Sequence, residues 1–329
     1  MDQAHTRQSV PVAVIIPCYN YGRFISRTIE SMLAQTMNPA ELIVVDDGST
    51  DDTRDVCARY PQVRYIWKEN GGVSTARNLG LRESTAEYVM FPDADDMVCP
   101  TGLQSLWEAK QKCSPEVKAF FGRAEFFADR TGEAGNAGSC LPSPEEIAPY
   151  VLEEVSPDMW ILSDRILGRI VESNIVAQCA AVIARAVYED IGWWDHSFRY
   201  HQDRDIWLRI ASRFPICFVN RPVARVRKHD DNITHSRNWM RNHTEILELL
   251  DKATHATWAS ARLRRLARRR WASGAYLLAQ RVATTGDLGR AAELMRAALR
   301  RRPLWPKPLI RMTQYSLKRL LSFHAGDNT

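Results

Sequence analysis

No stretch of the 329-residue sequence approaches the ~20 consecutive apolar residues that a membrane-spanning helix needs. The opening residues, Met1-Asp2-Gln3-Ala4-His5-Thr6-Arg7, hold no apolar core of a secretion signal, so a cytoplasmic location is expected. The seven cysteines (Cys18, Cys57, Cys99, Cys113, Cys140, Cys179 and Cys217) are odd in number and never spaced as CxxC. They read as isolated thiols in a reducing compartment rather than as a disulfide framework. No GxGxxG follows a candidate strand, which argues against a nicotinamide-dependent dehydrogenase. Val12 to Arg23 lacks the Gly-rich phosphate loop with Arg and Lys that a sugar nucleotidyltransferase would show. Neither an aromatic platform nor a recognisable nucleic-acid module is present, so no nucleic-acid partner is expected.

What is present is ordinary for a soluble globular chain: 45% hydrophobic and 25% charged residues, with ten tryptophans. The length allows one large domain or two smaller ones. Charge is divided unevenly. From His255 onward, sixteen Lys and Arg stand against three acids, whereas the preceding residues carry 28 bases and 36 acids. The two parts therefore face different partners.

Val12-Ala13-Val14-Ile15-Ile16-Pro17 is a continuous apolar run closed by proline, the pattern of a strand buried on both faces. Phe24, Ile25, Ile29, Met32 and Leu33 then fall at helical spacing. Glu41 to Val45 predicts a second buried strand, and Asp52 or a neighbour is expected to cap the helix after it. Val63 to Trp67 and Tyr88 to Phe91 predict two further strands, with a helix over Ser74 to Arg82 between them. This alternation predicts an α/β fold, with a mostly parallel sheet flanked by helices in the Rossmann-like manner. Ligands in such sheets lie beyond the carboxyl ends of the strands. Asp46-Asp47 and Asp93-Ala94-Asp95-Asp96 both occupy such ends and are expected to converge. Asp129 to Glu146, rich in Gly, Ser, Pro and Ala, predicts a loop.

On its own, Asp93-x-Asp95 describes either a solvated acidic turn or a seat for a hard divalent cation, which takes oxygen ligands shared with phosphates. Its context is more specific. Pro17-Cys18-Tyr19-Asn20, Val45-Asp46-Asp47-Gly48-Ser49-Thr50-Asp51, Asn70-Gly71-Gly72-Val73-Ser74-Thr75-Ala76-Arg77-Asn78 and Phe91-Pro92-Asp93-Ala94-Asp95-Asp96 follow one another at intervals fitting successive βα units. Together they resemble the nucleotide-sugar half of glycosyltransferase family two, whose fold is GT-A. The resemblance covers roughly Val10 to Thr234.

It implies a nucleotide-sugar site formed by Pro17, Tyr19, Asn20, Asp46, Asp47, Arg77, Asn78, Asp93, Ala94, Asp95 and His229. Asp47 or Asp46 would accept the imide N–H of a uracil-type base, although either could instead cap the following helix. Arg77 and Asn78 would lie near base and diphosphate, or form a solvated helix face. Asp93 would contact ribose or metal, and Asp95 would ligate an Mn2+ or Mg2+ ion, with His229 from Arg225-Val226-Arg227-Lys228-His229 also approaching metal and diphosphate. Asp96 either orients the loop or does nothing. Gln202-Asp203-Arg204-Asp205 matches the Glu-Asp pair that precedes the family's amphipathic helix, so Asp203 would be the catalytic base, although it could instead only cap a helix running through Ile206, Trp207 and Ile210. Gln202 stands where the family has glutamate, and a glutamine cannot tune its neighbour by like-charge repulsion.

The expected organisation is a catalytic domain over 1–238, with a nucleotide-sugar half at about 10–100 and an acceptor half at about 101–238, then a helical Arg-rich region over 239–329. In that region Leu263, Leu266, Ala267, Trp271, Ala275 and Leu278 form an apolar stripe among arginines. A second stripe runs from Leu309 through Tyr315 to Leu320-Leu321. Thr284 to Pro303 resembles one helical hairpin of a tetratricopeptide-type repeat, and a single unit is no array. The region either packs as a bundle with a solvated Arg face or docks peripherally on an anionic membrane, on the inner face of the cell membrane. The resemblance implies an inverting, metal-dependent transfer from a UDP-sugar to a glycan or lipid-linked acceptor in surface polysaccharide or glycolipid assembly. A non-catalytic scaffold of the same fold is the alternative that Gln202 keeps open.

Overall fold

The computed structural model describes residues 7–128, 140–229, 238–311 and 313. Eleven strands form one sheet: β1 (Ser9–Cys18), β2 (Asn38–Asp46), β3 (Arg64–Trp67), β4 (Tyr88–Met90), β5 (Met97–Val98), β6 (Ala119–Ala128), β7 (Cys140–Leu141), β8 (Val151–Ser156), β9 (Met159–Leu162), β10 (Ala181–Ala184) and β11 (Ile216–Lys228). Their order is β3-β2-β1-β4-β10-β6-β11-β9-β8, with β5 on β11 and β7 on β6.

The first four strands are parallel, as predicted, and are joined by helices α1 (Gly22–Leu33), α2 (Thr53–Cys57) and α3 (Val73–Glu83). Val12 through Ile16 are fully buried, as their unbroken apolar run requires. Strand order turns back between β1 and β4, and the crevice at such a switch point is where α/β sheets bind ligands. Beyond β4 the sheet is mixed: β10 runs antiparallel to both β4 and β6, and β11 runs parallel to β6 but antiparallel to β5 and β9. The α/β expectation therefore holds, while the parallel character is confined to β1–β4 and the β6–β11 pair.

The thirteen-residue β11 shifts register around Pro222, which offers no N–H to a ladder. It pairs with β6 along its length, with β9 through its first part and with β5 through its second, ending directly before His229. Helices α4 (Gly102–Lys112), α5 (Pro144–Ile147), α6 (Ile166–Glu172), α7 (Val187–Ile191) and α8 (Gln202–Arg213) complete this part. Of the loop predicted over Asp129 to Glu146, residues 129–139 lie outside the described residues. The remainder is ordered as β7 and the start of α5, because Ser143 and Glu146 form a reciprocal capping box.

Contacts divide the chain into Met1–Asn232 and Ile233–Thr329. The second unit contains α9 (Trp239–His255), α10 (Ala261–Thr284) and α11 (Leu288–Arg301). Its core includes Leu247, Ala275, Leu278, Met295 and Ala298. Ser260 caps α10 through the Leu263 amide, and Asp287 caps α11 through the Arg290 amide. The stretch Thr284 to Pro303, expected to form a helical hairpin, holds one helix, α11, which follows the end of α10 after a short turn. Of the second predicted stripe, Tyr315 and Leu320-Leu321 lie outside the described residues. No described helix is long and apolar enough to cross a membrane.

Candidate active site

The carboxyl ends of β1, β2 and β4 meet at the switch point, and a dense hydrogen-bond lattice shapes them. Pro17 pairs with Val45 in the β1–β2 ladder, and Tyr19 is exposed just beyond it. Asn20 adopts φ 56°, a left-handed conformation that Asn tolerates. It bridges to the neighbouring loop: its amide donates to Ser49 Oγ at 2.8 Å, and its Oδ1 accepts from the Thr50 amide at 2.7 Å.

Asp46 and Asp47 are both buried and serve different loops. Asp46 accepts from the Ser49 amide at 2.7 Å and from the Tyr65 hydroxyl at 2.5 Å. Asp47 accepts from the amides of Gly71 and Gly72, at 3.0 and 2.7 Å, and pairs with Lys68. The Gly71-Gly72 turn is thus folded onto a carboxylate, with Gly72 at φ 91°. Each acid retains an acceptor position, since a carboxylate offers about four. Neither caps α2. Asp51 does so, accepting from the Thr53 amide and hydroxyl and reaching the Gly22 amide at the start of α1.

On α3, Arg77 is only 2% exposed and donates from Nη2 to Asp93 Oδ1 at 2.7 Å. Its guanidinium lies 4.5 Å from the ring centroid of Trp194. Nε and Nη1 find no hydrogen-bond partner among the described residues. Asn78, one position on, is engaged elsewhere. Its Nδ2 donates to the Trp194 carbonyl at 2.9 Å and approaches His196 Nε2 at 2.7 Å, while its Oδ1 accepts from the Trp194 amide at 3.0 Å. Asn78 is a clamp on the 193–196 loop.

The acidic turn after β4 is held from three sides. Thr28 of α1 donates to the carbonyls of Ala94 and Asp96, at 2.9 and 2.8 Å. Asp96 Oδ1 accepts from the Arg227 amide at 3.0 Å, and Arg227 Nε donates to the Asp95 carbonyl at 2.9 Å. Asp96 therefore orients the loop, the first of the two roles open to it. Burial pushes its carboxyl well above the usual range, and Asp95 and Asp93 add to the shift. Asp95 Oδ2 lies 2.8 Å from His229 Nε2, and the His229 ring packs 4.9 Å from Phe24. Asp93 opens to the cleft, with a 44% exposed side chain, yet the surrounding protein raises its pKa. Arg77 opposes that shift and Asp95 adds to it.

Asp203 lies in the first turn of α8. Its Oδ2 accepts from Asn174 Nδ2 at 2.5 Å, and its Oδ1 accepts from the Arg204 amide at 2.7 Å. Burial raises its pKa foremost, Arg77 and the Arg204 amide pull it down, and Asp93 pushes it up. Asp203 thus feels the charges of Arg77 and Asp93, which links the start of α8 to the acidic turn after β4. Gln202 is half-buried, with Oε1 unpartnered among the described residues. Thr28, Asn174, Trp194 and Arg227 went unassigned in the sequence because their bonds go to backbone groups or to distant partners.

The donor set fits a hard divalent ion only in part. Among the described residues, no three His, Cys, Asp or Glu side chains gather into a ready cage. The Asp95–His229 pair has the spacing of adjacent octahedral ligands, which stand about 3 Å apart when each is ~2.1 Å from the ion. Mg2+ and similar ions complete their shells with water and substrate phosphates, so two or three protein ligands suffice.

Residues 13–123 match the family described as "Glycosyl transferase family 2". The chain carries a family 2 glycosyltransferase domain. An uncharacterized glycosyltransferase of Rickettsia typhi is 26% identical over 229 residues, 68% of this chain and 66% of that protein. The uncharacterized Escherichia coli glycosyltransferase YibD is 29% identical over 254 residues, covering 73% and 70% of the two chains. In a Rickettsia bellii relative the match takes in only 29% of the longer protein, so the chain spans less than two thirds of several relatives. Among solved structures, S. aureus TarS in complex with UDP-GlcNAc superposes with a TM-score of 0.61 over 96% of this chain and 92% of that one, at 14% identity. The shared fold is GT-A, and the helical C-terminal region follows the family 2 domain here as expected.

Proposed function

We propose that this chain transfers a glycosyl unit from a UDP-sugar to a hydroxyl of a glycan or lipid-linked acceptor, inverting the anomeric configuration. The observation that carries the reading is the Arg77 bridge. One buried guanidinium bonds Asp93 of the donor turn and opposes the rise that burial gives the Asp203 carboxyl on α8, binding donor and acceptor halves into one electrostatic unit.

Asp203 is the general base. Enclosure lifts its pKa above that of an ordinary aspartate, toward the range where a base is most effective. Asn174 and the Arg204 amide fix both of its oxygens. As Asp203 takes the acceptor proton, the acceptor oxygen attacks the anomeric carbon, and the bonding pair to the departing diphosphate leaves with UDP. Asp95 and His229, with Asp93, would hold Mn2+ or Mg2+, and such an ion supplies positive charge for the diphosphate. Asp47 or Asp46 takes the uracil imide on its remaining acceptor position. Assembly of a surface polysaccharide or glycolipid is the pathway class that the family 2 domain supports.

UDP release measured over a panel of UDP-sugars, with Mn2+ and with Mg2+, tests the reading. Asp203→Asn is expected to bind UDP as wild type does and to lose about 100-fold or more in transfer. Unchanged transfer would remove Asp203 from the base role. Absence of turnover by the wild-type chain, with UDP binding retained, would favour a non-catalytic scaffold instead.

A further inference from the structure

The second unit ends in a surface that none of the transfer chemistry uses. Trp305 packs against Tyr276 with ring centroids 5.1 Å apart, and Pro308 is buried, so the positions three apart face inward. Residues 306–311 are helical, and apolar side chains stand on the outward side: Leu309 and Ile310 are each 56% exposed, and Leu304, just before the helix, is 97% exposed. Single exposed aliphatic residues are common, but three within one short stretch form a patch.

The charge around the patch has one sign. Between Glu293 and Asp327 the sequence contains no acid, and it holds eight bases: Arg296, Arg300, Arg301, Arg302, Lys307, Arg311, Lys318 and Arg319. Arg296, Arg300, Arg302, Lys307 and Arg311 are exposed. Arg301 is turned inward, since it stacks 3.6 Å over Trp271 and pairs with Asp251.

We propose that Leu304, Leu309 and Ile310 insert into the interfacial layer of an anionic lipid bilayer while the exposed basic residues around them contact the lipid headgroups. Aliphatic side chains beside cations suit a surface that is both apolar and negatively charged. A nucleic acid would use the cations and gain nothing from the leucines, and an acidic protein face would leave a side chain as exposed as Leu304 in water. The assignment is independent of the transfer reaction, so its failure would leave the catalytic reading intact.

The test is co-sedimentation of the full chain with phosphatidylcholine vesicles, with and without phosphatidylglycerol. Pelleting is expected only with the anionic lipid and should weaken with salt, because exposed charges are screened within about 8 Å at physiological ionic strength. The combined variant Leu304→Ser, Leu309→Ser, Ile310→Ser should lower the partition coefficient by roughly tenfold or more. Neutralising Arg302, Lys307 and Arg311 to Gln should lower it about fivefold for each residue removed. Circular dichroism melts identify any variant whose loss reflects unfolding, and the other variant then decides. No pelleting with anionic vesicles, equal pelleting with neutral ones, or undiminished binding by the folded apolar variant would overturn the proposal. A dimer in solution that the apolar variant dissolves would assign the patch to a second copy of the chain. Binding of a DNA duplex without vesicle binding would assign the charge to nucleic acid.

Discussion

Asp95 and His229 are 134 positions apart in the chain and 2.8 Å apart in the fold. β11 makes the contact by delivering its last residues to the turn that follows β4. Arg227 reinforces it, since its amide bonds Asp96, its Nε bonds the Asp95 carbonyl, and its guanidinium lies between Phe24 and Phe127 at 4.9 and 4.7 Å. Phe24 also flanks His229, so α1 sets the ring orientation of a residue more than two hundred positions further along the chain. The imidazole is therefore positioned before any substrate arrives, and little ordering cost remains on binding.

If Asp95 and His229 are cation ligands, His229→Ala should raise the Mn2+ concentration needed for half-saturation by about tenfold. Direct Mn2+ titration by electron paramagnetic resonance, with UDP present, reads this without reference to turnover. Unaltered Mn2+ affinity in the folded variant would leave His229 as a packing residue beneath Tyr21 and Phe24.

The pH profile should report Asp203. A base works deprotonated, and burial raises its folded-state pKa, so kcat/KM falls as pH drops through that raised value rather than at the ordinary aspartate value. Arg77 lowers the pKa of both Asp203 and Asp93, so Arg77→Gln removes the opposing charge. The acidic limb should then move to higher pH, and the rate at low pH should fall more than the rate at high pH. A limb left in place would show that Arg77 acts on the donor turn alone.

β1 and β2 were legible because their buried stretches are written as uninterrupted apolar runs, Val12 to Ile16 and Leu42 to Val45. The second half was not, and β11 shows why. Its sequence Asn220-Arg221-Pro222-Val223-Ala224-Arg225-Val226-Arg227 reads as polar, yet Arg227 is buried between two aromatic rings that lie about a hundred or more positions away in sequence. Cation–aromatic burial of this kind has no one-dimensional periodicity. In the site, aspartates at strand ends were readable from motif order, whereas the role of Asp96 depends on an amide 131 positions distant. Asn78 shows a different gap: its place beside Arg77 suggested a ligand contact, and nothing in the sequence announced the bonds its amide makes to the Trp194 backbone.

That clamp makes Asn78→Ala a stability variant. Removing the amide leaves the Trp194 N–H and carbonyl without partners in a buried site, which costs about 2 kcal/mol. A fall of roughly 5 °C in the midpoint of thermal unfolding is expected for a domain of this size. Because the 193–196 loop stacks Trp194 over Arg77, transfer should fall as well. An unchanged melting midpoint would mean that the loop is held by its other contacts, such as the Ser74 hydroxyl on the Asp195 carbonyl at 3.0 Å.

Two glycines should respond oppositely to alanine. On α3, a Cβ at Gly80 would stand 2.2 Å from Ile15 Cγ2 and 3.2 Å from Val45 Cγ2, both on fully buried side chains of β1 and β2. Neither can retreat, so Gly80→Ala forces the helix off the sheet and costs about 1–3 kcal/mol. Gly168 lies inside α6, and a Cβ there meets nothing within 4 Å. Gly168→Ala adds helix propensity and restricts the unfolded chain, stabilising by about 0.4–1 kcal/mol. Urea unfolding of both variants beside wild type reads the two signs together. Since α3 carries Arg77, Gly80→Ala should also reduce transfer, while Gly168→Ala should leave it unchanged. Equal stability for Gly80→Ala would mean that α3 does not rest on β1 as closely as the Ile15 contact requires.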